Sequence, residues 1–223
     1  MVDREKPEDP STAFLERLAH DLRGPLSPLQ TAAYLLRRGN VEPERQEELL
    51  QIIDRQTSRL SAMVQEVSDW MKVGQSRLVG HRESIEVPML VELACAPLGA
   101  GVKLQVAEAL QGQAIRCDTQ RLVQALSTTL GYMRSRADDG MAVMSVNRAG
   151  RDLCIEVQAP GFQWTSAERD ALFDGAEGMP FDEGLGMRLL IAHAIARGHG
   201  GDMAAADSAE GWACIRLLLP SGD

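Results

Sequence analysis

Leu49, Ile53, Gln56, Leu60, Met63, Val67 and Trp70 recur by alternating steps of four and three. At 3.6 residues per turn this spacing stacks the side chains into one narrow stripe, the heptad seam that a second helix covers. It holds for three full heptads with one polar member, Gln56. A strand alternates with period two and cannot place these residues on one face. The segment is therefore predicted to be a long helix that needs a partner.

The partner is close by in the chain. Leu15, Leu18, Leu22, Leu29, Ala33 and Leu36 recur at spacings of three, four or seven, and Ser11 or Thr12 is suited to cap their helix. Gly39-Asn40 ends it and Glu42-Pro43 opens the next. So short a turn makes the two helices antiparallel, a hairpin over residues 11–73. Two helices with apolar seams do not close a core alone. A second copy would complete a four-helix bundle, so a homodimer is expected.

The rest of the 223 residues excludes several classes. A net charge of −9 and a pI near 5.0 argue against a nucleic-acid partner and against docking on an anionic membrane. No apolar run approaches the roughly 18 residues of a membrane-inserted helix. The opening MVDREKPEDP is too charged for a secretory signal. Cys95, Cys117, Cys154 and Cys214 form no CxxC pair, which suggests free thiols in the cytoplasm. His20, His81, His193 and His199 show no metal-ligand spacing, so no metal site is expected.

Residues 74–83 loosen into a linker, and 84–223 reads as a second, α+β domain. Strands are predicted at Ser84–Val87, Val102–Val106, Met141–Asn147, Leu153–Gln158 and Trp212–Leu219. Helices are predicted at Pro88–Gly99, Asp118–Arg136, Ser166–Leu172 and Gly186–Arg197. The interleaved order fits one sheet covered on one face by helices.

Within the first helix, "LAHDLRGPLSPL" stands out. His20 lies off the apolar stripe, with its ring toward water. Asp21 follows it and points to a different side. Pro25 and Pro28 supply no N–H, so the carbonyls of Asp21 and Gly24 lose their usual donors. The helix is expected to loosen there, beside a titratable pair.

This stretch resembles the H-box of two-component histidine kinases, whose histidine accepts a phosphoryl group. The hairpin resembles their dimerisation and phosphotransfer domain. "EGLGMRLLIAHAIARGHGGDMAAADSAEGWACIRLLLP" is similar to the end of their GHKL-type ATPase domain. The resemblance makes His20 the phosphoryl acceptor, Asp21 a group that takes a proton or orients the ring, and Arg23 a holder of phosphoryl charge. It implies response-regulator receiver domains docking near Leu26, Leu29, Gln56, Arg59 and Met63, and an upstream hybrid histidine kinase as a candidate donor.

The nucleotide boxes depart from the family pattern. The helix "DTQRLVQALSTTLGYMRSRA" opens as its counterpart does, at Asp118, Arg121, Leu122, Gln124 and Leu126, but carries Thr128 and Tyr132 at the asparagine positions and Ser135 at the basic one. In "VQAPGFQW" the adenine-reading aspartate is Ala159, the second glycine is Gln163, and only Gly161 survives. Gly184 and Gly186 remain of the third box, a weak phosphate-binding remnant. The loop between 174 and 184 is short for an ATP lid. These departures imply a degenerate ATPase-like domain with no cofactor. The expected function is phosphotransfer through His20 between receiver aspartates. The alternatives are a kinase that autophosphorylates His20 with Mg-ATP, or a non-enzymatic scaffold for receiver domains. Gly24, four residues past the histidine, carries no side chain to position water, which weakens a phosphatase role.

Overall fold

The computed structural model describes residues 10–39, 41–75, 77–175 and 184–220, with side chains from residue 18 on. These residues divide into two compact units. The first runs through Val67 and includes 184–185; the second comprises the rest, and the division falls inside a helix.

Helix α1 spans Pro10–Arg38 and contains both Pro25 and Pro28. It continues through them, so the missing donors do not end the helix, and Pro25 is itself buried. The helix starts one residue ahead of Ser11; the side chains of Ser11 and Thr12 lie outside the described set, as does Asn40 in the turn. Arg37 and Arg38 occupy the last turn, where cations complement the negative helix end. Helix α2 spans Pro43–Gly74. Of the seam, Leu49 and Met63 are buried, Ile53, Gln56, Leu60 and Val67 are half-buried, and Trp70 is exposed.

The second unit is built on a sheet of β2 (Val102–Val106), β4 (Ala142–Ala149), β5 (Asp152–Gln158), β7 (Ala213–Pro220) and β6 (Asp202–Asp207), in that spatial order. β2 pairs parallel with β4, and the other neighbours are antiparallel. Alternation along β5 buries Leu153, Ile155 and Val157 on one face. Helices α3 (Val87–Cys95), α4 (Thr119–Arg136) and α6 (Arg188–Gly198) supply Leu90, Leu122, Leu126, Leu130, Leu189 and Ile195 to the same core.

The strand predicted at Ser84–Val87 does not join this sheet. β1 (Glu83–Glu86) pairs antiparallel with β3 (Ala114–Cys117), a strand the sequence pattern did not reveal, and Val87 already belongs to α3. Pro88 sets the helical φ at the first turn and draws the strand to a close one residue early. Between β6 and β7, Gly201 approaches so closely that an added Cβ would lie 2.1 Å from the Leu218 carbonyl oxygen.

Two polar side chains buried in this unit are fully employed. Asp69, on the last turns of α2, accepts from Arg121 (3.0 Å) and Gln124 (2.9 Å) of α4. His199 bonds the Ile195 carbonyl through Nδ1 (2.8 Å) and accepts the Asp118 N–H at Nε2 (3.0 Å). Asp118 in turn caps α4 by accepting the Arg121 N–H.

Candidate functional site

In the hairpin, His20 projects into solvent with its side chain 83% exposed. Its Nδ1 lies 3.2 Å from Asp21 Oδ1. Adjacent helical residues point about 100° apart, and that is why Asp21 was expected to face elsewhere. The carboxylate nevertheless folds back to reach the ring. An aspartate accepts only, so Nδ1 carries the proton in this pair, and Nε2 keeps its lone pair facing water. Arg23 is exposed on the same stretch, just ahead of Pro25 and Pro28. Of the candidate docking residues, Leu26 is exposed and Leu29, Gln56 and Arg59 are half-buried. Met63 is completely buried within the single chain, so the expectation that it meets a partner is withdrawn.

The second cluster lies in the α/β unit, where the nucleotide boxes were expected. Tyr132 is buried on α4 and stacks on Trp164 at 6.4 Å between ring centroids. Phe162 meets Trp164 edge-on at 5.2 Å. The Arg136 guanidinium covers both Tyr132 and Phe162, 5.3 and 5.4 Å from their centroids, and bonds Glu168 at 3.1 Å. The Trp164 indole N–H donates to the Ala206 carbonyl at 2.9 Å and lies 3.3 Å from that of Cys214. Glu168 also closes a capping box with Thr165, and these backbone and hydroxyl bonds hold its carboxyl below the usual range.

Ala159 is fully buried where an adenine-reading carboxylate was looked for. Its N–H donates to the Ala213 carbonyl, and the Ala213 N–H donates to the Phe162 carbonyl. Gly161 turns the chain at φ 83°, and an added Cβ there would lie 2.0 Å from Asp138 Oδ2. Its retention is thus explained by the turn and the close side chain. Gly186 is buried at φ 78°, two residues ahead of α6, which begins at Arg188. Gly184 is half-buried, and the lid-length expectation falls on 176–183, outside the described residues. The substitutions at Tyr132 and Ala159 were readable from sequence. Phe162, Arg136 and Glu168 were not, because nothing in their spacing says that they converge.

At the positions that the resemblance assigns to a metal ligand and an adenine acceptor, the chain thus presents a buried, stacked phenol and a methyl group. Among the described residues no helix is long and apolar enough to cross a membrane.

Residues 11–75 match the His Kinase A (phospho-acceptor) domain family. The signal transduction histidine-protein kinase AfsQ2 of Streptomyces coelicolor is 26% identical over 99% of this chain. The chain spans only 44% of that protein. Among solved structures, histidine kinase ThkA in complex with response regulator protein TrrA shares the fold at a TM-score of 0.70 and 15% identity, over 94% of this chain and 61% of that one. Full-length ShkA in complex with AMPPNP does so at 0.63 and 20% identity, over 92% and 45% respectively. With residues 11–75 matched to a phospho-acceptor domain and the fold shared with solved histidine kinases, this chain resembles two-component histidine kinases.

Proposed function

We propose that the chain is a histidine phosphotransfer protein: residues 11–73 are a homodimeric phosphotransfer hairpin, and 84–223 keep the ATPase-like fold without its nucleotide chemistry. The observation that supports this reading is the Tyr132–Trp164 stack, covered by Arg136, at positions that the resemblance assigns to the nucleotide boxes. Partial exposure of the α2 seam in a single chain supports the homodimer, since a second hairpin would bury the half-covered positions.

The chemistry follows from the His20–Asp21 pair. The Nε2 lone pair attacks the phosphorus of an aspartyl phosphate on a receiver domain. The P–N bond forms as the acyl P–O bond breaks, and the leaving carboxylate keeps the electron pair. Positive charge grows on the imidazole, and the Asp21 carboxylate on Nδ1–H stabilises it. The reverse step delivers the phosphoryl group to a second receiver. Arg23 supplies a cation near the moving group, whose transfer depends mainly on positioning and charge stabilisation.

A second reading is favoured by the extent of the likeness to a named kinase: autophosphorylation of His20 with Mg-ATP. One experiment separates the two. The chain is incubated with labelled Mg-ATP and, separately, with receiver domains charged with labelled acetyl phosphate. Label that reaches wild-type chain only from a receiver, and never an H20Q variant, supports phosphotransfer. Label acquired from ATP alone overturns it in favour of the kinase.

A further inference from the structure

Away from both clusters, the α/β unit contains a groove of about 800 Å³ lined by Val73, Leu78, Val79, Arg82, Ala194 and Arg197, with Gly80 and Gly198 along its floor. This is the size range of small-molecule sites, which pair apolar walls with a few polar groups. The chain carries a net charge of −9, yet residues 70–82 contain Lys72, Arg77, His81 and Arg82 and no acidic residue.

The two arginines keep donors available. Arg82 gives one N–H to the Gly198 carbonyl at 2.7 Å, and a guanidinium has five N–H donors in all. The Arg197 side chain is exposed and makes no hydrogen bond among the described residues, although its charge helps hold the Asp202 carboxyl low. The nearby carboxylates are engaged. Asp118 accepts from Gly80 N–H (2.8 Å) and Arg121 N–H, and Asp202 is bonded to His193 at 2.9 Å. The walls are aliphatic: Leu78 is buried, and Val79 stands so near Gly198 that any side chain there would strike it.

We infer that this groove binds an organic anion with an apolar body, its carboxylate or phosphate held by Arg82 and Arg197 and its tail laid on Val73, Leu78 and Val79. Planar guanidinium groups suit such oxyanions. The site is separate from His20 and does not depend on the phosphotransfer reading.

The test uses the full chain in amide NMR titrations with sodium decanoate, with decanol as a tail lacking charge, and with inorganic phosphate as charge lacking a tail. Decanoate is expected to bind saturably and to shift the Gly80 and Gly198 amides, about tenfold more tightly than either comparator. Arg82→Gln with Arg197→Gln should weaken it by about tenfold or more. Arg197→Gln alone breaks no described contact, and about a threefold loss from it keeps the test valid if Arg82→Gln loosens α6. Equal binding of decanol, shifts confined to other residues, or unchanged affinity in both variants overturns the site.

Discussion

Gly161→Ala isolates the reason that a glycine survives in an otherwise degraded nucleotide box. The residue sits at φ 83°, and its new Cβ would fall 2.0 Å from Asp138 Oδ2. A left-handed conformation costs an ordinary L-residue about 1–2 kcal/mol. Pushing the Asp138 carboxylate off its rotamer adds about 0.5–1.5 kcal/mol, since it is the free end of a short side chain. The variant should therefore lose about 2–3 kcal/mol, a large part of the roughly 5–15 kcal/mol typical of a domain. Urea unfolding, followed by tryptophan fluorescence and far-UV circular dichroism, reads this as a lower midpoint at constant slope. In an Asp138→Ala background the carboxylate clash is gone and only a 3.1 Å approach to the retained Cβ remains, so the cost should fall toward about 1–2 kcal/mol. A Gly161→Ala loss below about 0.5 kcal/mol would refute the conformational explanation, and an identical loss in both backgrounds would refute the steric one.

Other outcomes follow from buried groups. Asp69→Ala leaves Arg121 with its main partner gone and should cost about 3–5 kcal/mol in chemical denaturation, with Asp69→Asn milder. His199 is held neutral: burial, first, and the nearby Arg82 cation push its pKa below the ordinary 6.5, against a raising hydrogen bond to Ile195. The unfolded chain then takes up a proton before the folded one does. Stability is full above pH 6.5 and falls as pH drops through that value, by up to about 1.4 kcal/mol per pH unit. His199→Gln should flatten that slope in melts recorded between pH 7.5 and 5.5. Burial raises all four thiols, Cys214 to about 12, so iodoacetamide at pH 7.5 should label the native chain far more slowly than the urea-unfolded chain, by mass spectrometry. Asp21→Asn should slow phosphoryl uptake at His20 by about 10–100-fold in receiver assays without moving the unfolding midpoint.

Much of this protein is local in origin, and those parts were legible. The hairpin follows from heptad spacing alone, because period and length determine which face a helix must cover. The exposed His20 follows from its offset from that stripe. β5 and β7 follow from dense β-branched and aliphatic runs. Ala159 and Tyr132 depart from the family pattern by residue type alone.

Other features exist only because distant segments meet. β6 is "DMAAAD", a poor strand by propensity, and it forms because β7 offers it a ladder through Gly201, where nothing larger fits. β1 leaves the main sheet because Ala114–Cys117, undistinguished in sequence, supplies its partner. Met63 is completely buried although a seam position serves a second copy equally well. The Arg136 roof over Tyr132 and Phe162, with Trp164 against both rings, joins residues from 132 to 164. Sequence determined the periodicities, the histidine's exposure and the residue types at positions 132 and 159, since each is a property of a residue and its near neighbours. Tertiary structure alone decided what packs around Tyr132, because packing is set by which surfaces meet and by the volume left between them.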